Sequence, residues 1–180
     1  IDEDQQATYV IPEPVSWDNI QIDSALTHAI EKAEAIIFGS LACREETTRD
    51  TLLDLMNESN ALKIFDVNLL APHYSLSTIE TLAARADVVK MNEDEARLLI
   101  GGSNSDLKEQ IIEFRQKYHS KTICVTRGEN GAIVWHDHEF YESPGCPVDV
   151  ADSVGAGDAF LATFVAGLLA GQPMQAVIDK

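Results

Sequence analysis

The chain has 180 residues, 30 acidic against 13 basic side chains, a formal net charge of −17 and 45% hydrophobic residues. A chain of this length can bury roughly 70% of its unfolded surface around one core, so neither disulfides nor a structural metal is needed for folding. The charge excludes nucleic acid and anionic membrane surfaces as partners, since both require a basic face. An anionic ligand is repelled at long range, although salt screens beyond about 8 Å; binding one calls for a counter-cation and a local positive device such as a helix N-terminus.

Cys43, Cys124 and Cys146 are odd in number and widely spaced, with no Cys-x-x-Cys pattern. They are expected to be buried or incidental thiols of a reducing compartment, and the absence of a signal-peptide pattern agrees with a cytoplasmic location. Residues 8–11 (Thr-Tyr-Val-Ile) are expected to be extended, at a sheet edge, because Pro12 and Pro14 follow and cannot donate to a ladder. From Asp23 as N-cap, a helix is expected to about residue 34, with Ala25, Leu26, Ala29, Ile30 and Ala33 on one apolar stripe. Residues 35–40 form an almost wholly apolar strand, typical of a parallel sheet covered on both faces.

The alternation continues with a helix at 45–58, a strand at 63–67, a helix at 77–85, a strand at 87–91 and a helix from the Asn92 cap to 100. A helix at 107–118 and a strand at 122–126 follow, and residues 131–135 and 139–143 form a hairpin around His136-Asp137-His138. Short links between alternating strands and helices predict a doubly wound, mainly parallel α/β sheet in a single domain, 1–180. Residues 159–178 are uncharged, but Gly171-Gln172-Pro173 divides them into two helices rather than one membrane span.

Chemistry concentrates in Asp152-Ser153-Val154-Gly155-Ala156-Gly157-Asp158-Ala159-Phe160. If Gly155, Ala156 and Gly157 open a helix, their N–H groups lack intrahelical partners and face outward at the positive end of its dipole. Glycine there admits a close anion, and Asp158 at the mouth could accept the proton of a hydroxyl. The structural alternative makes Asp152 and Ser153 an ordinary N-cap and Asp158 a dipole partner, worth about 0.5–2 kcal/mol. Three more polar clusters fall at strand ends, where ligands gather in open α/β sheets. They are Asp66 with Asn68, Asn92 with Glu95, and Thr126-Arg127-Gly128 with Gly131. Each also has a purely structural account, as turn formers, a capping box and a glycine-rich turn.

The segment from Asp152 to Phe160 resembles the C-terminal signature of the ribokinase-like (PfkB) carbohydrate kinases, closest in detail to the fructokinases. The resemblance covers nearly all of this chain but only the middle and C-terminal portion of that family. The family's first strands, β-lid, Gly-Gly pair and most sugar contacts have no counterpart, so the chain resembles a partial kinase domain. It implies ATP and Mg²⁺ as cofactors, small-molecule sugar and nucleotide as partners, and a homodimer as a candidate state of a full-length parent. Asp158 aligns with the catalytic base, Gly155, Ala156 and Gly157 with the anion hole, and Asp66 and Asn68 with a fructokinase-type substrate element. Asn92 and Glu95 align with the Asn-x-x-Glu element that helps arrange Mg²⁺ and phosphate; Thr126, Arg127, Gly128 and Gly131 resemble the nucleotide-phosphate loop. Asp152 and the Val154 carbonyl resemble ligands of a monovalent-cation (K⁺) site found in several members. One departure is Leu70, where fructokinases usually carry arginine.

The expected activity is ATP-dependent phosphorylation of a sugar hydroxyl, with fructose as leading acceptor. The alternatives are a kinase for 2-keto-3-deoxygluconate or a nucleoside, and a non-catalytic nucleotide-binding fragment or degenerate relative. The chain alone is expected to be inactive.

Overall fold

The computed structural model describes residues 10–100, 106–145 and 154–179. Within them lie six strands: β1 Ala35–Gly39, β2 Leu62–Asp66, β3 Val88–Asn92, β4 Thr122–Thr126, β5 Ala132–His136 and β6 Glu139–Ser143. The helices are α1 Ser24–Lys32, α2 Glu46–Glu58, α3 Leu76–Ala83, α4 Glu93–Ile100, α5 Leu107–Tyr118, α6 Ala156–Leu169 and α7 Met174–Ile178. The sheet runs in the order β1-β2-β3-β4-β5-β6, parallel from β1 to β4 and antiparallel for the last two pairs.

The pleat sends alternate residues to two separate cores. Phe38, Phe65, Val89, Met91, Ile123, Val125 and Ile133 join Ile79 and Leu82 of α3, Ala96 of α4, and Ile111 and Phe114 of α5. On the other face Ile64, Val88, Cys124 and Val134 pack against Leu161, Phe164 and Val165 of α6 and Val177 and Ile178 of α7. Both faces of the central strands are therefore buried, which explains their continuous apolar sequences. Cover on the α6 face thins towards β1, a sheet edge among the described strands, where Ile37 is 52% exposed.

Helix boundaries follow the capping chemistry. Asp23 Oδ1 accepts from Leu26 N at 2.7 Å, and Ser75 Oγ accepts from Thr78 N at 3.1 Å, which fixes the starts of α1 and α3. α1 ends at Lys32 rather than 34 because Ala33 turns extended, with its N–H donated to Ile30. The hairpin turn is the pair Asp137-His138, both at positive φ (47° and 69°), with His136 still inside β5. Gly171, at φ 63°, separates α6 from α7, and no helix among the described residues is long and apolar enough to cross a membrane.

One expectation is corrected. Val10 and Ile11 lie outside the sheet, and Val10 is 90% exposed, while residues 8 and 9 fall outside the described residues. Pro12 and Pro14 remove two donors, and residues 16–19 turn into a 3₁₀-helix instead. That segment is clamped by Arg44, whose guanidinium donates to Asp18 Oδ1 and Oδ2 at 2.7 and 2.6 Å and to the Pro12 carbonyl at 3.1 Å.

Candidate active site

The described members of the four polar clusters divide into two groups at the ends of β2, β3 and β4. The first forms where β2 and β3 end beneath α6. Asp66 and Lys90 are cross-strand partners, and Lys90 Nζ donates to Asp66 Oδ1 at 3.0 Å and Oδ2 at 3.3 Å. Both side chains are about nine-tenths buried, so each charge depends on the other for compensation. Burial pushes the Asp66 carboxyl above the usual carboxylate range, the Lys90 ammonium opposes that rise, and the charge of Asp158 adds to it. Asp158 is thus near enough for its charge to act on Asp66.

Above this pair α6 begins. Gly155 is its N-cap, at φ 81°, a conformation that favours glycine, and Ala159 N donates to the Gly155 carbonyl at 2.9 Å. The N–H groups of Gly155, Ala156 and Gly157 precede the first intrahelical donor, Ala159 N, and these residues are exposed. Asp158, also exposed, stands in the first turn. A Cβ on Gly157 would sit 3.2 Å from Lys90 Nζ, so the helix start lies close above the buried ammonium. Val154 is exposed beside this turn; Asp152 lies outside the described residues.

Asn92 and Glu95 form a capping box. Asn92 N donates to Glu95 Oε2 and Glu95 N to Asn92 Oδ1, both at 2.8 Å. Glu95 Oε1 also accepts from Leu69 N at 2.7 Å, which ties the chain leaving β2 to α4. Burial raises the Glu95 carboxyl, its bonds from the Asn92 and Leu69 N–H groups oppose the rise, and it feels both Lys90 and Asp66. Asn68 reaches positive φ (38°), and its carbonyl accepts from Ser40 Oγ at 3.1 Å, so the Asp66–Asn68 turn is a structural joint as well.

The second group surrounds the β4–β5 turn. Thr126 faces Asn92 across the β3–β4 register, and Arg127 N donates to the Gly131 carbonyl at 2.7 Å. Gly128 and Gly131 both have positive φ; a side chain at Gly131 would overlap the Ser143 carbonyl and Gly145 N, so β6 packs on the turn too closely for any other residue. A cleft of about 510 Å³ is lined by Glu93, Arg127, Asn130, Glu142, Ser143 and Pro144. Arg127 lies 3.7 Å from Glu142, and its buried Nε has no partner among the described residues. Asp66 and Asp158 are not among this lining. A larger cleft of about 750 Å³ lies beside residues 13–19, but its charged lining is Glu13, Asp18 and Glu45, unsuited to phosphate.

The candidate residues thus separate into a carboxylate-and-ammonium floor under a helix N-terminus, and a glycine-turn cleft one strand further along. Lys90 is the member that reading the sequence missed. The signal was available: a lysine inside the apolar run Val88-Val89-Lys90-Met91 needs a counter-ion, and Asp66 ends the preceding strand.

This sheet, with its helix N-terminus over the strand ends, is of the ribokinase-like α/β class. The solved fructokinase from Vibrio cholerae O395, in its fructose-, ADP- and calcium-bound form, superposes with a TM-score of 0.76 at 25% identity, covering 92% of this chain and 56% of that one. The chain belongs to the pfkB family of carbohydrate kinases, whose model matches residues 2–179. It is 29% identical to the 2-dehydro-3-deoxygalactonokinase of Haloferax volcanii over 98% of this chain and 62% of that protein. It is 30% identical to a fructokinase of Escherichia coli over 72% of this chain and 44% of the relative. The chain therefore spans less than two thirds of the length of these relatives.

Proposed function

We propose that the full-length protein transfers the γ-phosphoryl group of ATP to a sugar hydroxyl, with fructose as leading acceptor. The observation that carries this reading is the exposed, glycine-capped start of α6, with Asp158 in its first turn above the Asp66–Lys90 pair. In-line phosphoryl transfer asks a protein for positioning, charge stabilisation and one base for the nucleophile. Asp158 takes the acceptor hydroxyl proton, and the N–H groups of Gly155, Ala156 and Gly157 bind the phosphoryl oxygens. Asp66 and Asn68 face the acceptor side. The Thr126–Gly131 turn and the Arg127 cleft receive the nucleotide phosphates.

Magnesium fits this arrangement only indirectly. Both Glu95 oxygens accept backbone N–H bonds and Asn92 Oδ1 accepts another, and no cluster of three His, Cys, Asp or Glu suited to a metal occurs among the described residues. The ion would be carried by the nucleotide phosphates and held by Asn92 and Glu95 through its water shell, neutralising charge on the transferred group. The residues described offer only Val154 towards a K⁺ site, so that expectation remains tied to Asp152.

Asp158→Asn in the full-length protein should lower turnover about 10²–10⁴-fold with nucleotide affinity nearly unchanged, because a general base acts on the transition state. Normal turnover in that variant refutes the assignment. The similarity to the Haloferax volcanii kinase over 98% of the chain favours, as second reading, a 2-keto-3-deoxy sugar acid as acceptor. A panel of fructose, 2-keto-3-deoxy sugar acids and nucleosides, ranked by kcat/KM, decides between them.

A further inference from the structure

Lys90 stands at a buried strand position between the hydrophobic residues Val89 and Met91. Its ion pair with Asp66 is a poor stability device, since replacing a buried pair by apolar residues of similar volume is often neutral or stabilising. The position of the ammonium suggests a different use. It is held by both Asp66 oxygens and lies below Gly157, 3.2 Å from where a Cβ on that residue would sit. The ionisable groups facing it are Asp66 from β2, Glu95 from α4 and Cys124 from β4, while Asp158 from α6 acts on Asp66. A helix N-terminus carries about half a positive charge, so this helix start over a fixed ammonium concentrates positive potential in a chain of net charge −17. An anion at the turn relieves that repulsion.

We propose that Lys90 is a positioning residue for phosphoryl transfer. Pinned by Asp66, its ammonium sets the height of the Gly155–Gly157 turn over the strand ends and supplies the fixed cation that the acceptor-side carboxylates require. A side chain at position 157 would press on that ammonium, since its Cβ would lie 3.2 Å from Lys90 Nζ. The proposal rests on the kinase reading above, and it adds a residue acting through Asp66 and the α6 turn rather than on substrate.

The test uses the full-length protein and the variants Lys90→Met, Lys90→Arg, Asp66→Asn and the double variant Lys90→Met/Asp66→Asn. Lys90→Met should lower kcat about 10²-fold, the scale of a small misplacement of reacting groups, with KM for ATP changed only a few-fold. The acidic limb of its kcat/KM profile should move to higher pH, because a carboxylate stripped of its ammonium protonates more readily. Lys90→Arg keeps the charge and should keep the limb near its original position, even where its bulk lowers kcat. The double variant should be no worse than the poorer single one. Unchanged kcat and pH profile in Lys90→Met, or additive single effects, would overturn the proposal, as would a lowered melting temperature with normal kcat. If Lys90→Met does not fold, Asp66→Asn, which leaves the packing volume intact, carries the kcat and pH comparison. Absence of phosphoryl transfer by the wild-type protein to every acceptor removes the kinase reading and this proposal together; a normal Lys90→Met in an active enzyme removes only the proposal.

Discussion

Gly167 is where α6 and α7 touch, and Gly167→Ala tests whether that contact sets the position of the helix carrying Asp158. A Cβ at Gly167 would lie 2.9 and 3.0 Å from the two Val177 methyls and 3.3 Å from Val177 Cβ. Val177 is 2% exposed, and its β-branched side chain has one strongly preferred rotamer in a helix, so it does not swing aside. Two effects compete. Alanine in a helix interior is better than glycine by about 1 kcal/mol. Overpacking a filled core costs about 1–3 kcal/mol, so the balance is destabilising by up to about 2 kcal/mol. At about 2–4 °C per kcal/mol for a domain of this size, the melting temperature should fall by up to about 8 °C. Val177→Ala in the same background should recover part of that loss, with a favourable coupling of about 0.5–3 kcal/mol in the double-mutant cycle. Calorimetry on the two singles and the double in the full-length protein measures this. Turnover should drop only a few-fold, because Asp158 lies nine residues away, about 13 Å along the helix. A rise in melting temperature for Gly167→Ala together with strict additivity would show that the helices separate freely, and the packing argument would fail.

At the other end of α6, Gly157→Val should crowd the turn against Lys90 Nζ and weaken ATP binding; unaltered affinity by titration calorimetry would make the turn merely structural. Burial pushes the thiols of Cys43 and Cys124 up to about 11 and about 12, so neither should react with a disulfide reagent at pH 8 until the protein unfolds; rapid labelling of the native protein contradicts this. The hydrogen bond from Arg44 holds the Asp18 carboxyl below the usual range. A depressed carboxylate stabilises above its unfolded pKa, and that contribution is lost as pH falls through the folded value. Acid should thus release residues 12–19 before the sheet melts, and amide exchange in that segment that stays constant down to global unfolding would refute it.

The secondary structure was legible because local rules agreed with the fold. The helix at 107–118 and the strand at 122–126 emerge with the expected bounds, and the Asp23, Asn92 and glycine signals mark real helix ends. The exception at residues 10–11 is instructive, since β-propensity there had no strand partner and two prolines against it. At the site, the glycine-flanked start of α6 and the capping box of Asn92 and Glu95 were visible as short patterns, because a helix terminus is a local object.

What the sequence by itself determined is everything that depends on neighbours within about four positions: caps, turns, apolar periods and the residue types offered at each strand end. Tertiary structure alone decided which of those ends meet. Asp66 and Lys90 are 24 residues apart and become partners only through the β2–β3 register, and Gly157 reaches Lys90 only once α6 crosses the opposite face of the sheet. Pairing across strands and layers is fixed by shared burial of two apolar faces, a property of the assembled core, so the charge at the centre of the site had no local signature beyond one lysine in an apolar strand.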